Sequence, residues 1–419
     1  MMSRVAVFAI APSFRLTTFY AEFMSIPGII VAQFCERGKY CGRWACFLAS
    51  VFILDIMERM KIQAIKIHHV EWERGPYHWR DGIMPNNSTG KTALLRIITD
   101  EGIAGLSPCS SAVSIAEIKY QLIGADPLDR ERIWQNFWLN LRSSNLGFAI
   151  GPVDCALWDL FGKVCNLPVY KLLGGMRDCV PAYASTVTLD SLKKYMDLAE
   201  VCLQKGYTAI KLHAWGRLEQ DAELCRALRK KAGDKITLMY DASSMFSIFE
   251  DAVWFGRMLE EQNYLWYEEP MDHFNTTALA RLAAELKIPL AVAEATHGGP
   301  WDALAQIQAG AADIILTGPL DPFKGGFTGV MKTAHICEGY GMMCAIHSGN
   351  IASLHAACAI HNTKYFERLV PEKYYSPPGI RDASTEIDRE GYARPWDKPG
   401  LGIEVDWDWV NQHTVRVEE

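Results

Sequence analysis

Ionisable side chains lie at or near the ends of short apolar runs throughout residues 209–369. They are Lys211, His213, Asp241, Glu268, Glu294, His347 and Glu367. Lys211 and His213 stand two residues apart in AIKLHAW, and alternate residues of a β-strand point to the same face. Helix capping could explain one or two such residues, but not acids after three consecutive runs with basic residues on both flanks. The spacing therefore predicts a single shared site.

Asp241, Glu268 and Glu294 provide only carboxylate oxygens, which are the ligands that Mg²⁺ prefers. We predict these three acids as metal ligands, with Ser243 and Glu269 beside them as supporting residues. An exchange of roles between the adjacent Glu268 and Glu269 is the alternative assignment. A cation that holds a carboxylate and its enolic oxygen stabilises the charge left when the α-proton is removed. Basic residues on the two flanks of the acids could then carry the proton.

A regular repeat of strands and helices must position these residues. The β-like runs after residue 179 are VPAYAST, AIKLHAW, TLMYDAS, LWYEEP, LAVAEAT, IILTGPL, MMCAIHS and YFERL. From start to start they are roughly 22–30 residues apart, which is the length of a βα unit. The repeat predicts an α/β fold with a (β/α)7–8 TIM-type barrel that lacks its last helix, and strand ends that meet at one face. A doubly wound sheet is the alternative, but no glycine-rich phosphate-binding turn follows the first strand.

Charge and cysteine usage exclude several classes of protein. The 419 residues carry a formal net charge of −7 with no basic block, so we expect no nucleic-acid partner. The 12 cysteines form no CxxC pairs, which indicates reduced thiols and a cytoplasmic location. Residues 1–59 contain apolar patches too short to cross a membrane, and they lack the order of a signal peptide. We therefore predict a non-native or disordered extension, with a targeting or anchoring segment as the alternative, and no membrane partner.

Residues 60–178 have a mixed α+β pattern. Strands are predicted at 61–73 and 92–99, and helices at 114–123, 129–141 and 151–165. The long loop between the two strands contains Tyr77, His78, Trp79 and Arg80. These side chains suit a polyhydroxylated or carboxylated ligand, and we predict them as substrate-binding residues. An ordinary solvated lid is the alternative reading of the loop.

Four dispersed motifs resemble the mandelate racemase branch of the enolase superfamily. They are KTALLRIITDEGIAG (91–105), GPVDCALWDLFGKVCNLPVYKLLGG (151–175), KGGFTG (324–329) and PGLGIEVDWDWV (399–410). The resemblance implies a capping domain at 60–178, a barrel at 179–390 and a return to the capping domain at 391–419. It also implies a homo-oligomer and a small-molecule carboxylate substrate. Within the site, it implies that His347 is a catalytic histidine and that Glu367 donates a hydrogen bond to the developing enediolate.

Two departures from the family pattern concern the proton-transfer residues. The second barrel strand of the family usually reads Lys-x-Lys, whereas this chain has Lys211 and His213. A histidine there can still take or return a proton, and Lys211 would lower its pKa and keep it neutral. Otherwise Lys211 would contact the substrate carboxylate or a metal ligand. The family's histidine is normally paired with an aspartate, but the spacing from Gly325 puts that position on Leu320. Asp321, one residue later, is the candidate that would orient His347.

The resemblance leaves several reactions open. We favour a lyase that dehydrates a sugar acid to a 2-keto-3-deoxy acid. A cycloisomerase of a sugar-acid lactone or anhydro-sugar acid is the second choice, and a racemase or epimerase is the third. A non-catalytic relative that only binds sugar acids is the alternative from a different class, but the three acids, His347 and Glu367 argue against it. Fold analogy alone does not choose among these reactions.

Overall fold

A computed structural model of the chain describes residues 60–77, 87–140, 146–374 and 376–419. The predicted extension at residues 1–59 lies outside this described part, as do His78, Trp79, Arg80 and the side chain of Tyr77. The predictions made for those residues therefore stay predictions. Among the residues that the structure describes, no helix is long and apolar enough to cross a membrane.

The first half of the described chain builds an antiparallel sheet covered by helices. Its strands are β1 (Ile62–Tyr77), β2 (Asn87–Thr99) and β3 (Ala104–Cys109). Its helices are α1 (Ile115–Leu122), α2 (Arg130–Asn140), α3 (Ile150–Cys165) and the short α4 (Val169–Leu172). Apolar side chains from β1, β2 and α1–α3 form one buried core. The strands and helices predicted here from the 2.0 and 3.6 periodicities are present.

Eight parallel strands then close into a barrel. They are β4 (Val180–Thr186), β5 (Ala209–His213), β6 (Thr237–Asp241), β7 (Tyr267–Glu268), β8 (Leu290–Val292), β9 (Ile314–Thr317), β10 (Met343–Ile346) and β11 (Phe366–Val370). Parallel pairing between β11 and β4 completes the ring. The predicted TIM-type barrel is confirmed, with its strand ends at one face.

Helices follow the first seven barrel strands and cover their outer side. They are α5 (Leu192–Gln204), α6 (Leu218–Ala232), α7 (Phe249–Glu261), α8 (Thr276–Glu285), α9 (Pro300–Gln308), α10 (Gly326–Gly339) and α11 (Ile351–Ala359). Apart from residue 375, which is not described, residues 371–406 contain no α-helix. The barrel therefore lacks its last helix, as predicted.

Large aromatic and small apolar side chains fill the barrel interior below the polar residues. The buried members of this floor are Tyr183, Ala209, Met239, Trp266, Ala291, Ile314, Leu316 and Ala345. Trp266 Nε1 donates a hydrogen bond to Glu268 Oε2 at 2.7 Å, and Lys211 Nζ lies 5.4 Å from the centre of the Tyr183 ring. In β5, Ile210 and Leu212 pack into the outer core instead. The alternation of the strand thus puts Lys211 and His213 inside the barrel.

The end of the chain returns to the first sheet. It forms β12 (Ile380–Arg381), β13 (Tyr392–Ala393), β14 (Glu404–Val405), α12 (Trp407–His413) and β15 (Thr414–Glu418). Strand β15 pairs antiparallel with β1, so the sheet order is β15-β1-β2-β3. His69 Nε2 lies 2.9 Å from Glu418 Oε1 across this pairing. The predicted completion of the N-terminal domain by the C-terminal segment is confirmed.

The Gly-Gly turn of KGGFTG packs against α3 at the point where α10 begins. Gly325 and Gly326 have φ of 81° and 68°, and a Cβ on Gly326 would lie 2.4 Å from Asp154 atoms. The Asp154 carboxylate accepts hydrogen bonds from Thr328 N at 2.9 Å and Thr328 Oγ1 at 2.6 Å. It therefore satisfies a backbone N–H that the first turn of a helix leaves without a partner. Glycine is required because the carboxylate approaches the turn so closely.

Replacing Asp154 with asparagine is expected to reduce the loss of protein stability as the pH rises from 5 to 8. Burial raises the pKa of Asp154 to about 7, so the folded state binds this proton more tightly than the unfolded state. Stability from this group is therefore complete at low pH and is lost as the pH rises through about 7. Relative to the parent, the variant should gain on the order of 2–3 kcal/mol between pH 5 and pH 8. Urea unfolding of parent and variant at both pH values measures their free energies of unfolding. If the variant differs from the parent by the same amount at pH 5 and pH 8, the prediction is wrong.

Candidate active site

Three acidic side chains converge at the carboxyl ends of neighbouring barrel strands. Asp241 ends β6, Glu268 ends β7 and Glu294 follows β8 by two residues. One carboxylate oxygen from each lies within 4.8 Å of the other two. Glu294 Oε2 is buried and makes no hydrogen bond to any described residue. A converging set of hard oxygen donors, one of which makes no hydrogen bond, fits a divalent cation such as Mg²⁺.

Neighbouring groups hold these acids in place. Ser243 donates from N and Oγ to Asp241 Oδ1, at 2.7 and 3.2 Å. Glu269 Oε1 accepts the backbone N–H of Glu294 at 3.0 Å, so Glu269 supports the third acid and does not join the cluster. Burial raises the pKa of Glu269 to about 8, and the charge of Glu294 adds to the shift. The geometry favours Glu268 over Glu269 as the cation ligand.

Lys211 is fully buried among the acids. Its Nζ lies 2.5 Å from Glu268 Oε1, 3.1 Å from Glu367 Oε1 and 3.7 Å from Asp241 Oδ2. Burial alone would lower the pKa of Lys211, but Glu268 and Glu367 outweigh it and raise that pKa well above its ordinary value. The ammonium is therefore charged and fully used as a counter-ion. Its pairing with two carboxylates makes Lys211 a weak candidate for the base.

The ring of His213 is fixed by the strand beside it. His213 Nδ1 lies 2.8 Å from the carbonyl oxygen of Thr186, and Thr186 Oγ1 accepts the backbone N–H of His213 at 3.1 Å. Because a carbonyl oxygen only accepts hydrogen bonds, Nδ1 must carry a proton. Nε2 then points to the acids and lies 2.7 Å from Asp241 Oδ2. His213 thus presents its second nitrogen to the cation site in one defined orientation.

His347 reaches the acids from the opposite side of the barrel. Its Nδ1 lies 2.8 Å from Asp321 Oδ2, and its Nε2 lies 3.4 Å from Glu294 Oε2. Burial would lower the pKa of His347, but the charges of Asp321 and Glu294 outweigh it and raise that pKa well above its ordinary value. Ser348 Oγ donates to the other oxygen of Asp321 at 3.1 Å. The site therefore holds an oriented imidazolium with a proton on Nε2.

Glu367 accepts hydrogen bonds on both of its oxygens. Oε1 faces Lys211 at 3.1 Å, and Oε2 accepts the backbone N–H of Ser348 at 2.7 Å. Burial would raise the pKa of Glu367, but the charges of Lys211, His347 and His213 together outweigh it and lower that pKa to about 2. The group is a carboxylate in this arrangement. To donate the hydrogen bond that the family resemblance implies, it would first have to take up a proton.

The structure brings together every predicted site residue that it describes. These are Lys211, His213, Asp241, Ser243, Glu268, Glu269, Glu294, Asp321, His347 and Glu367. The sequence analysis did not identify Thr186, Ser348 or Lys324, which hold the side chain or the backbone of these residues. Ser348 follows His347 directly and Lys324 begins KGGFTG, so both could have been found from position alone. The partner of the His213 ring could not, since Thr186 holds Nδ1 through its backbone oxygen.

Comparisons with known proteins agree with this geometry. Residues 62–174 match the mandelate racemase / muconate lactonizing enzyme N-terminal domain, and residues 194–409 match the enolase C-terminal domain-like family. Arabinonate dehydratase from Saccharolobus solfataricus is 30% identical over 330 residues, which are 74% of this chain and 87% of that protein. The 3,6-anhydro-alpha-L-galactonate cycloisomerase of Streptomyces coelicolor is 30% identical over 304 residues, which are 70% of this chain and 81% of that protein.

A solved structure gives the same result for the fold. The crystal structure of D-glucarate dehydratase from Agrobacterium tumefaciens, complexed with magnesium, superposes with a TM-score of 0.78 at 32% identity. The match covers 85% of this chain and 99% of that one. Both domain matches follow the order that the sequence motifs predicted. The chain belongs to the mandelate racemase/muconate lactonizing enzyme family of the enolase superfamily.

Proposed function

We propose that the protein is a Mg²⁺-dependent hydro-lyase that dehydrates a sugar acid to a 2-keto-3-deoxy acid. One observation carries the proposal: two oriented histidines flank the three acids from opposite sides. His213 Nε2 lies 2.7 Å from Asp241, and His347 Nε2 lies 3.4 Å from Glu294. A substrate carboxylate on the cation would place its α-carbon between two groups that can move protons. Dehydration needs such a pair, because one group removes the α-proton and the other protonates the leaving hydroxyl.

The residues of this chain divide the reaction between them. Asp241, Glu268 and Glu294 would hold Mg²⁺, which when bound supplies positive charge opposite the carboxylate oxygens of the enediolate. His213 Nε2 takes the α-proton once Asp241 is engaged by the cation and no longer accepts from this nitrogen, while Thr186 holds Nδ1 and keeps the ring oriented. His347 gives its Nε2 proton to the β-hydroxyl, which leaves as water. Asp321 holds His347 on Nδ1 and stabilises its charged form.

Names of relatives support the substrate class. Arabinonate dehydratase and D-xylonate dehydratase, the latter from Haloferax volcanii and 27% identical, both act on sugar acids by name. A cycloisomerase is the second candidate, because the cycloisomerase from Streptomyces coelicolor is as similar as the first of these dehydratases. Opening an anhydro ring also needs α-proton removal and protonation of a β-oxygen. The same two histidines could therefore serve either reaction.

A substrate panel tests the proposal. The purified chain is incubated with Mg²⁺ and separate aldonic, aldaric and anhydro-sugar acids in D₂O. Keto-acid formation is followed by semicarbazide absorbance, and deuterium at the α-carbon is followed by NMR. We expect keto acid from at least one aldonic or aldaric acid, whereas product from anhydro acids only would identify a cycloisomerase. Deuterium exchange without keto acid would indicate a racemase, and neither signal with any acid would favour a sugar-acid-binding protein.

Magnesium is expected to raise the melting temperature of the parent chain but not that of a Glu294→Gln variant. The cation binds the folded state alone, and a concentration 100-fold above Kd stabilises by about 2.7 kcal/mol. Burial, together with the charge of Asp241, raises the pKa of Glu294, so removing its charge should not lower the melting temperature without Mg²⁺. Glu250→Gln, an exposed acid in α7, is the control and should keep the full response. An unchanged Mg²⁺ response in Glu294→Gln would remove Glu294 from the metal site.

A further inference from the structure

Lys324 is a buried lysine with no role in the proposed reaction. It is 2% exposed, and its ammonium lies 2.5 Å from Ala293 O, 2.8 Å from Thr296 O and 2.9 Å from Thr296 Oγ1. An ammonium has three N–H donors, so these contacts use all of them. All three acceptors belong to the short segment after β8. Lys324 therefore clamps one turn, and that turn carries Glu294.

The clamped turn has a backbone conformation that needs support. Ala293 has a φ of 86°, which L-residues other than glycine rarely adopt. The carbonyl oxygens of Ala293 and Thr296 both point at Lys324 Nζ, and they would repel each other without the cation between them. Thr296 Oγ1 donates to Ala293 O at 3.2 Å and closes the same turn. Glu294 is the residue directly after Ala293, so its direction depends on this arrangement.

Lys324 also belongs to the turn that carries Asp321. Its backbone N–H donates to Asp321 O at 3.3 Å, just before α10 begins. Asp321 orients His347, and His347 Nε2 lies 3.4 Å from Glu294 Oε2. Lys324 thus contacts two loops. One carries the metal ligand Glu294, and the other carries Asp321, which orients the proposed general acid His347.

We propose that Lys324 is a positioning residue that fixes Glu294 relative to Mg²⁺ and to His347. This inference rests on the proposed metal site. The ammonium lies against backbone oxygens and not in the acid cluster, so it neither binds the substrate nor transfers a proton. Its effect should appear first in metal affinity, because a ligand that points in several directions binds the cation less tightly.

The test uses Lys324→Met, which keeps the length of the side chain and removes its charge and donors. Titration calorimetry with MgCl₂ on the metal-free chain should give a Kd raised about tenfold or more. Thr296→Val removes one of the three acceptors and should raise the Kd by a smaller factor in the same direction. Lys332→Met is the matched control, because Lys332 lies in α10, the helix that begins just after Lys324, but pairs with the exposed Glu131. Its Kd should match that of the parent.

Each outcome decides the proposal. A cooperatively melting Lys324→Met chain whose Mg²⁺ Kd stays within about twofold of the parent would overturn it, since lost ligand positioning costs about 10–100-fold. If Lys324→Met does not fold, Thr296→Val decides: an unchanged Kd overturns the proposal, and a raised Kd supports it. A parent chain that binds no Mg²⁺ would overturn the metal site and this proposal together. Mg²⁺ binding without turnover of any sugar acid would contradict only the proposed reaction.

Discussion

Replacing His347 with asparagine is expected to lower kcat for dehydration about 10³-fold, the usual contribution of a positioned general acid. The asparagine amide can keep the hydrogen bond to Asp321 that Nδ1 makes at 2.8 Å, but it has no proton to give at the position of Nε2. The variant should fold and bind Mg²⁺ like the parent, because none of the three acids is changed. The loss would therefore fall on the departure of the hydroxyl.

Solvent exchange separates this role from a general loss of activity. If His213 removes the α-proton, the His347→Asn variant should still incorporate deuterium from D₂O at the α-carbon while it forms almost no keto acid. Rates are measured for both signals with the best substrate from the panel. His361→Asn, an exposed histidine near Glu338, is the control and should retain both signals. Loss of exchange and elimination together in His347→Asn would mean that His347 removes the α-proton.

The strand pattern of this chain predicts the fold because the barrel repeats one simple rule. Each strand buries alternate side chains in two directions, so a run such as AIKLHAW already states which residues face inward. The polar residues then fall at the strand ends that meet at one face. For this reason Asp241, Glu268 and Glu294 could be grouped from spacing alone, and the structure places their oxygens within 4.8 Å of one another.

The turns between strands and helices are less predictable. Counting from Gly325 points to Leu320 as the partner of His347, but Leu320 packs against the apolar core and Asp321 makes the contact. A one-residue difference in a turn reverses the direction of a side chain, and the spacing of a motif does not reveal it. Ion-pair partners are equally hard to predict from the sequence, because Lys211 and Glu268 are 57 residues apart in the chain. The protonation state of Glu367 depends on such a pair and could not be read from YFERL.

Replacing His213 with asparagine is expected to lower the rates of both α-proton exchange and dehydration about 10³-fold. Asparagine can still donate to the carbonyl oxygen of Thr186, which accepts from Nδ1 at 2.8 Å, so the strand pairing should survive. What disappears is the nitrogen 2.7 Å from Asp241 Oδ2. Lys211 cannot readily replace it, because Glu268 and Glu367 hold its ammonium in the charged form.

A second substitution distinguishes a lost base from a lost contact. His213→Lys restores the Lys-x-Lys pattern that is usual in the resembling family and returns a titratable nitrogen to the same strand position. Exchange at the α-carbon should then recover to well above the level of the asparagine variant, whereas a purely structural histidine would leave both variants equally impaired. Full exchange in His213→Asn would assign the base to Lys211 or His347, and loss of exchange in Lys211→Met or in His347→Asn would show which of them removes the proton. His213 is therefore the residue whose chemistry separates this chain most clearly from the Lys-x-Lys pattern.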